Sequence, residues 1–264
     1  MKKFLSLAVA LSLYLPCCAI DKVILVRHDE MSLIPEEIVF LTDLGLGVQM
    51  NADSVMMLDS PTLSSLKWIE PNNARSFISL KSGIYAAEGD SICRLATEES
   101  PRKFIGRLDN EQFMLYAATD STLFACTADE DFSCVIEIDP VSETFIPVIG
   151  LNAPIQKISS NGDVSFIWVD DRILDMRHDD KLVCVYAADN ITDMVLTNIG
   201  LMVATTDGIF WITEPGHGTK LVEGNIIGLW WDNNDALYYL TEECDLIVIL
   251  GLMEEYNLIT QPSQ

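Results

Sequence analysis

Carboxylates dominate the chemistry of this sequence, and they recur at one place in a repeated phrase. Asp53, then Glu88 and Asp90, then Asp129, Glu130 and Asp131, then Asp170 and Asp171, then Asp207, then Glu242, Glu243 and Asp245 each separate two short apolar runs. Hard carboxylate oxygens gathered on one surface can steer a cationic partner or hold calcium. A second set, Asp109, Asn110, Asn152, Asp189, Asn190 and Asn225, falls between one repeat and the next. Mixed carboxylate and amide oxygens of that kind are calcium donors when they converge. Asp, Asn and Gly are also the residues that tight turns prefer, so both readings of the acids stay open. Asp120, Asp163, Asp232 and Asp235 place further carboxylates at the opposite ends of the runs.

Other reactive residue types are sparse. Trp230 and Trp231 stand together in IIGLWW, and a strand must turn neighbouring side chains to opposite faces. One ring is then a candidate platform for a sugar while the other packs. His28, His178 and His217 are too far apart to suggest a zinc site. There is no Ser-His-Asp order, no glycine-rich phosphate loop and no Cys-x-x-Cys pair. The segment VILVRHDE from Val23 resembles the strand that opens histidine phosphatases. Asp29 stands where that family has glycine and would repel a phosphoryl group. Cys126 and Cys134 flank one loop and are candidates for a disulfide in an oxidising compartment; as buried thiols they would act as small hydrophobes.

The chain opens with Met1-Lys2-Lys3, an apolar run from Phe4 to Leu15, and small residues at Cys17-Cys18-Ala19. This is the pattern of a secretory signal peptide over residues 1–19, with a cut after Ala19. Cys17 or Cys18 is alternatively the acylated cysteine of a lipoprotein, which would tether the domain to a membrane surface. No later segment is long and apolar enough for a transmembrane helix. The formal net charge is −24, which repels phosphate backbones and excludes nucleic-acid binding through a basic surface. Cationic proteins or peptides, divalent metals and high solubility are compatible with it.

The elements that must position these residues are written as a repeat. GLMVATTDGIFWITE, from Gly200 to Glu214, is a strand, a two-residue Asp207-Gly208 turn and a second strand. The same pattern recurs with the second strand starting at Val55, Ile92, Val135, Ile173, Ile209 and Leu246, at spacings of 37, 43, 38, 36 and 37 residues. An apolar run precedes and another follows each hairpin, giving four strands to a unit. A fixed period of this size implies units that bury their faces only by stacking on neighbours. The units are expected at residues 38–70, 76–108, 113–149, 155–187, 192–223 and 226–260, within a single domain over 20–264. The extra strand at residues 22–28 is expected as a latch, added beside Tyr256 to Thr260 or replacing that strand, since an open array would expose its edges.

On repeat length and on motifs such as VATTDGIFWIT and CVIEIDPVSETFIPVI, the chain resembles the broad superfamily of six-bladed β-propellers with NHL-type, YWTD-type and gluconolactonase-type members. The resemblance covers nearly the whole mature chain and implies an all-β fold of four-stranded blades. The Tyr-Trp-Thr-Asp signature is missing, and no family's catalytic set maps onto these residues. The turns between second and third strands would then share one face with the crossovers between blades. The resulting expectation is an exported module of the bacterial envelope that binds a protein or peptide, with no catalysis of its own. A calcium-dependent lactonase or hydrolase at the channel mouth and a carbohydrate-binding propeller are the alternatives.

Overall fold

The computed structural model describes residues 21–26, 38–42, 45–51, 54–58, 66–69, 74–96, 100–110, 112–128, 132–176, 182–232, 236–243 and 245–253. Strand β1 (Asp21–Val26) stands apart at the start. The sheet β2 to β5 follows as Ile38–Thr42, Gly45–Asn51, Ser54–Leu58 and Leu66–Ile69. Next come β6 to β9 (Ala74–Leu80, Gly83–Glu88, Ser91–Arg94, Lys103–Arg107) and β10 to β13 (Phe113–Ala117, Leu123–Ala128, Ser133–Asp139, Thr144–Leu151). Then follow β14 to β17 (Ile155–Ser160, Ser165–Val169, Arg172–Asp175, Val183–Ala187) and β18 to β21 (Ile191–Thr197, Gly200–Thr205, Gly208–Glu214, His217–Glu223). The chain closes with β22 to β24 (Ile226–Asp232, Ala236–Thr241, Leu246–Leu250).

These strands form six four-stranded sheets, five of them simple meanders and the sixth in the order β1-β24-β23-β22. The observed pairing of β1 is antiparallel to β24, with Asp21 opposite Leu250 and Val23 opposite Val248. Tyr256 to Thr260, expected as a strand, lie outside the described residues, as do the leader, its two cysteines, His28 and His178.

The period of the sequence becomes a radial stack because no sheet can bury both faces alone. One core lies between the second and third sheets, joining Tyr85 and Ile92 to Leu123 and Ile138. Equivalent cores join Val135 to Ile167, Ile173 to Val203, and Met202 to Leu237 in the following pairs. Second strands are therefore buried on both faces, as in β19, where five of six residues are buried. Fourth strands are open to solvent, as in β21, where only Val222 is buried. Each large aliphatic side chain taken fully out of water in these cores contributes about 2 kcal/mol.

First strands of neighbouring sheets lie side by side in cyclic order, β2, β6, β10, β14, β18, β22 and β2 again. They share no ladder, so polar side chains join them. Ser76 Oγ accepts from the Leu115 N–H at 3.0 Å, Tyr116 donates its hydroxyl to the Gln156 carbonyl at 3.3 Å, and Ser159 Oγ accepts from the Leu196 N–H at 2.8 Å. The strongest tie is Asp193. Its Oδ1 accepts from Lys157 Nζ at 2.6 Å and from the Met194 N–H at 2.7 Å, and its Oδ2 accepts from the Leu229 N–H at 2.7 Å. One buried carboxylate thus holds β14, β18 and β22 together, because a charge-assisted bond inside a protein is stronger than its neutral counterpart.

Candidate functional site

The turns between second and third strands are pinned to the crossovers by backbone hydrogen bonds. Leu108 N–H donates to the Asp90 carbonyl at 2.8 Å, Ala188 to Asp171 at 3.0 Å, and Gly224 to Asp207 at 3.3 Å, so each fourth strand ends beside its own sheet's acidic turn. Thr206 N–H donates to the Asn190 carbonyl at 3.2 Å and Glu242 N–H to Asn225 at 3.0 Å, so the entry to each first strand lies there too. The two acidic sets seen in the sequence therefore meet on one end of the stack.

Side chains tighten the same junctions. Asn190 Nδ2 donates to Thr206 Oγ1 at 3.1 Å and to Asp207 Oδ2 at 2.9 Å, and Asn225 Nδ2 donates to Glu242 Oε2 at 2.8 Å. Gln156 Oε1 accepts from the Asp170 N–H at 3.1 Å, where Asp170 adopts a positive φ of 53°. Asn110 Oδ1 accepts from the Gln112 N–H at 2.7 Å. In these turns the amides hold carboxylates and backbone in place.

The acidic residues differ in how open they are. Asp109, Asp170, Asp189, Asp207, Glu242 and Glu243 are exposed, while Glu88, Asp90, Asp171 and Asp245 are half-buried. Arg102 pairs with Glu88. Arg107 stands 3.6 Å from Asp90 and Arg172 stands 3.3 Å from Asp171. The Arg107 and Arg172 pairs are exposed, so they are screened and offset little of the negative field. Asp53, Asp129, Glu130 and Asp131 lie outside the described residues. Asn152 is exposed in its crossover.

A calcium shell needs six to eight oxygens. One atom among the crossover candidates fits such a role: Asn225 Oδ1 is buried and accepts no hydrogen bond. Among the described residues, no three His, Cys, Asp or Glu side chains are grouped closely enough to hold an ion. His217 is exposed, with Nδ1 3.3 Å from the Pro215 carbonyl.

Neither tryptophan of the expected platform stands clear of the fold. A Cβ added to Gly228 would lie 2.4 Å from the Trp230 ring, so that ring rests on its own strand. Trp231 packs against the core shared by the fifth and sixth sheets, and its indole N–H is buried without a partner.

The candidate disulfide between Cys126 and Cys134 is not formed, and both thiols are free. Register explains this: Cys126 lies opposite Val135 and Cys134 opposite Thr127, so alternation turns the two sulfurs to opposite faces of the sheet. Burial, followed by the neighbouring Cys134, pushes the Cys126 thiol from 9.0 up to about 12. Sequence reasoning also passed over the Lys157–Asp193 pair. Its only signal was a lysine and an aspartate each interrupting an apolar first strand, in IQKIS and DMVLT.

No family model matches the sequence, and no curated protein matches it significantly. Solved structures do match in shape. A gluconolactonase from Xanthomonas campestris superposes with a TM-score of 0.59 at 10% identity, over 88% of this chain and 95% of that one. The calcium-binding protein regucalcin from Agrobacterium tumefaciens gives 0.60 at 10% identity, over 82% and 91%. A chain of the nidogen/laminin complex gives 0.57 at 13% identity, over 77% and 88%. The chain is a β-propeller of four-stranded blades. At these identities the likeness carries the fold alone. No helix among the described residues is long and apolar enough to cross a membrane.

Proposed function

We propose that this chain is an exported propeller without catalysis of its own, and that it presents a rigid acidic face to a protein or peptide partner in the bacterial envelope. Its six sheets act as a six-bladed ring in which β1 is the latch, completing the last blade from the other end of the chain. The pairing of β1 with β24 and the cyclic neighbourhood of the first strands support that closure. The observation that carries the binding reading is the double pinning of the acidic turns. The turns of Asp207 and Glu242 are fixed to a crossover by backbone and side chain, and that of Asp170 to a crossover by backbone and to β14 by Gln156, so these exposed carboxylates are held on a surface that changes little on binding. Residues 1–19 as a signal peptide, or a lipid on Cys17 or Cys18, would deliver it there. The complex formed by the nidogen/laminin neighbour is in keeping with a propeller used for protein contact.

A calcium-dependent lactonase is the second reading, favoured by the orphan Asn225 Oδ1 beside Glu242 and by the gluconolactonase and calcium-binding neighbours. In that case Asn225 and Glu242 would offer oxygens to the ion, which would supply Lewis-acid polarisation of a carbonyl. Thermal unfolding in EDTA and then in millimolar calcium at matched ionic strength separates the two, because a ligand of the native state must raise its stability. The binding module is expected to give coincident curves. A rise saturating at one equivalent of calcium would transfer the assignment to the metal site. In the same preparation, Asp170→Lys, Asp207→Lys and Glu242→Lys together should weaken capture of a labelled oligolysine peptide and flatten its salt dependence; unchanged capture would sink the acidic-face reading.

A further inference from the structure

Most of the large exposed apolar side chains among the described residues belong to one blade. Among the described residues the exposed large hydrophobics are Phe104, Met114, Phe132, Val141, Ile146, Val148 and Val183, and five of these seven lie in the blade of β10 to β13. Four of the five follow its outer margin. β13, at eight residues, is the longest of the described strands, and it is hydrogen-bonded on one side only, to β12. Ile146 is 55% exposed and Val148 44%. Phe132, 46% exposed, caps one end with its ring against Gly150, where an added Cβ would lie 2.9 Å away. Val141, 71% exposed, marks the other end.

Propeller edges are ordinarily protected by charge. β21, HGTKLVE, and β9, KFIGR, follow that rule, whereas β17, VCVYA, and the longer β13, TFIPVIGL, contain no charged residue. The protective devices of β13 are Pro147, which removes a donor from the edge, and the register shift at Val148 beside it, which together interrupt open-ended stacking. Pairing with a short strand remains available on either side of them. A row of unpaired backbone groups flanked by aliphatic side chains recognises an extended peptide through main-chain bonds, with alternate side chains setting specificity.

Charge decides what kind of strand this is. A second copy would bring one net charge of −24 against another. Glu137 lies on the same face as its register partner Ile146, and Asp139 stands at the end of the same blade. Hydrogen bonds from Ser142 and from the Val141 N–H hold the Asp139 carboxyl below its usual range. We infer that the outer edge of β13 receives, by strand addition, an extended segment of another protein that is aliphatic at alternate positions and carries lysine or arginine beside them. This edge is separate from the acidic face and stands independently of it.

The test uses the full chain and a fluorescein-labelled peptide of alternating valine and threonine with lysine at both ends, followed by fluorescence anisotropy. Saturable binding is expected, lost when alternate backbone nitrogens of the peptide are methylated and weakened when its lysines are replaced by glutamates. Ile146→Arg with Val148→Arg should weaken it roughly ten-fold or more, while Asp170→Lys with Asp207→Lys should leave it in place. The inference is overturned by an absence of saturable binding, by equal binding of the methylated peptide, or by indifference to the β13 substitutions. Sedimentation showing a dimer that the same substitutions abolish would give the edge to a second copy and overturn it equally. The methylated peptide is tested on the unaltered chain, so that comparison does not require either variant to fold.

Discussion

At the residue scale the decisive group is Asp193. Its carboxylate accepts three hydrogen bonds from three strands, and Lys157 is the only charged donor among them. Removing one member of such a half-buried pair leaves the other uncompensated. Asp193→Ala is expected to lower stability by about 3 kcal/mol, read as a fall in the urea midpoint, with Lys157→Met costing less because its stem can still pack. Equal and negligible losses would show that the tie is incidental. Titration bears on stability at Cys126. Its folded pKa is raised, so the contribution of the neutral thiol is fully present below the unfolded value of 9.0 and is lost as pH rises from there toward about 12. Burial raises Tyr116 and Tyr239 in the same sense. The urea midpoint should therefore fall on the alkaline side of pH 9.0, and Cys126→Ala should make that limb shallower; a midpoint flat with pH would contradict the burial.

At the element scale the hairpin of β19 and β20 shows how a turn fixes register. Thr205 Oγ1 accepts from the Asp207 and Gly208 N–H groups at 3.1 Å each and donates to the Gly208 carbonyl at 3.1 Å. Gly208 has φ of 148°, and a Cβ there would lie 1.9 Å from the Val222 carbonyl oxygen, so both conformation and space demand glycine. Gly208→Ala is expected to cost about 3 kcal/mol and to speed hydrogen exchange in β19 to β21 before the rest. Uniform exchange across all sheets would mean that the blades do not open separately. Between blades, Phe145 fills the place of a side chain at Gly106, where a Cβ would lie 2.3 Å from its ring. The outer strands β9 and β13 thereby meet, with Lys103 and Glu143 paired at 2.8 Å beside them.

At the scale of the molecule, the net charge of −24 and the pairing of β1 with β24 set the behaviour. Like charges concentrated on one compact body repel, and salt screens them over about 8 Å at physiological ionic strength. Thermal stability should rise between low and moderate sodium chloride and then level off. A flat response would show that the carboxylates are already neutralised locally. Deleting residues through Val26 would leave β24 with one side unpaired and expose a strand edge. That truncated chain is expected to form oligomers on size-exclusion chromatography where the full chain does not; a well-behaved monomer would argue against β1 as the latch.

By itself the sequence determined the period, the four strands to a unit and the acid-rich turns, because alternation and turn chemistry are local and are written in neighbouring residues. The sheets of β10 to β13 and β14 to β17 are built from consecutive strands over residues 113–151 and 155–187 for that reason. The tertiary structure decided which residues meet across sheets. Asp193 reaches Lys157 and Leu229 through the curvature of the stack, and no local pattern encodes a contact between residues 36 apart. It also decided that Cys126 and Cys134 face apart, since register sets a side chain's face and a one-residue difference reverses it. Composition does not distinguish TFIPVIGL from a buried strand; its place at the rim, hydrogen-bonded on one side only, is what leaves Ile146 and Val148 in water.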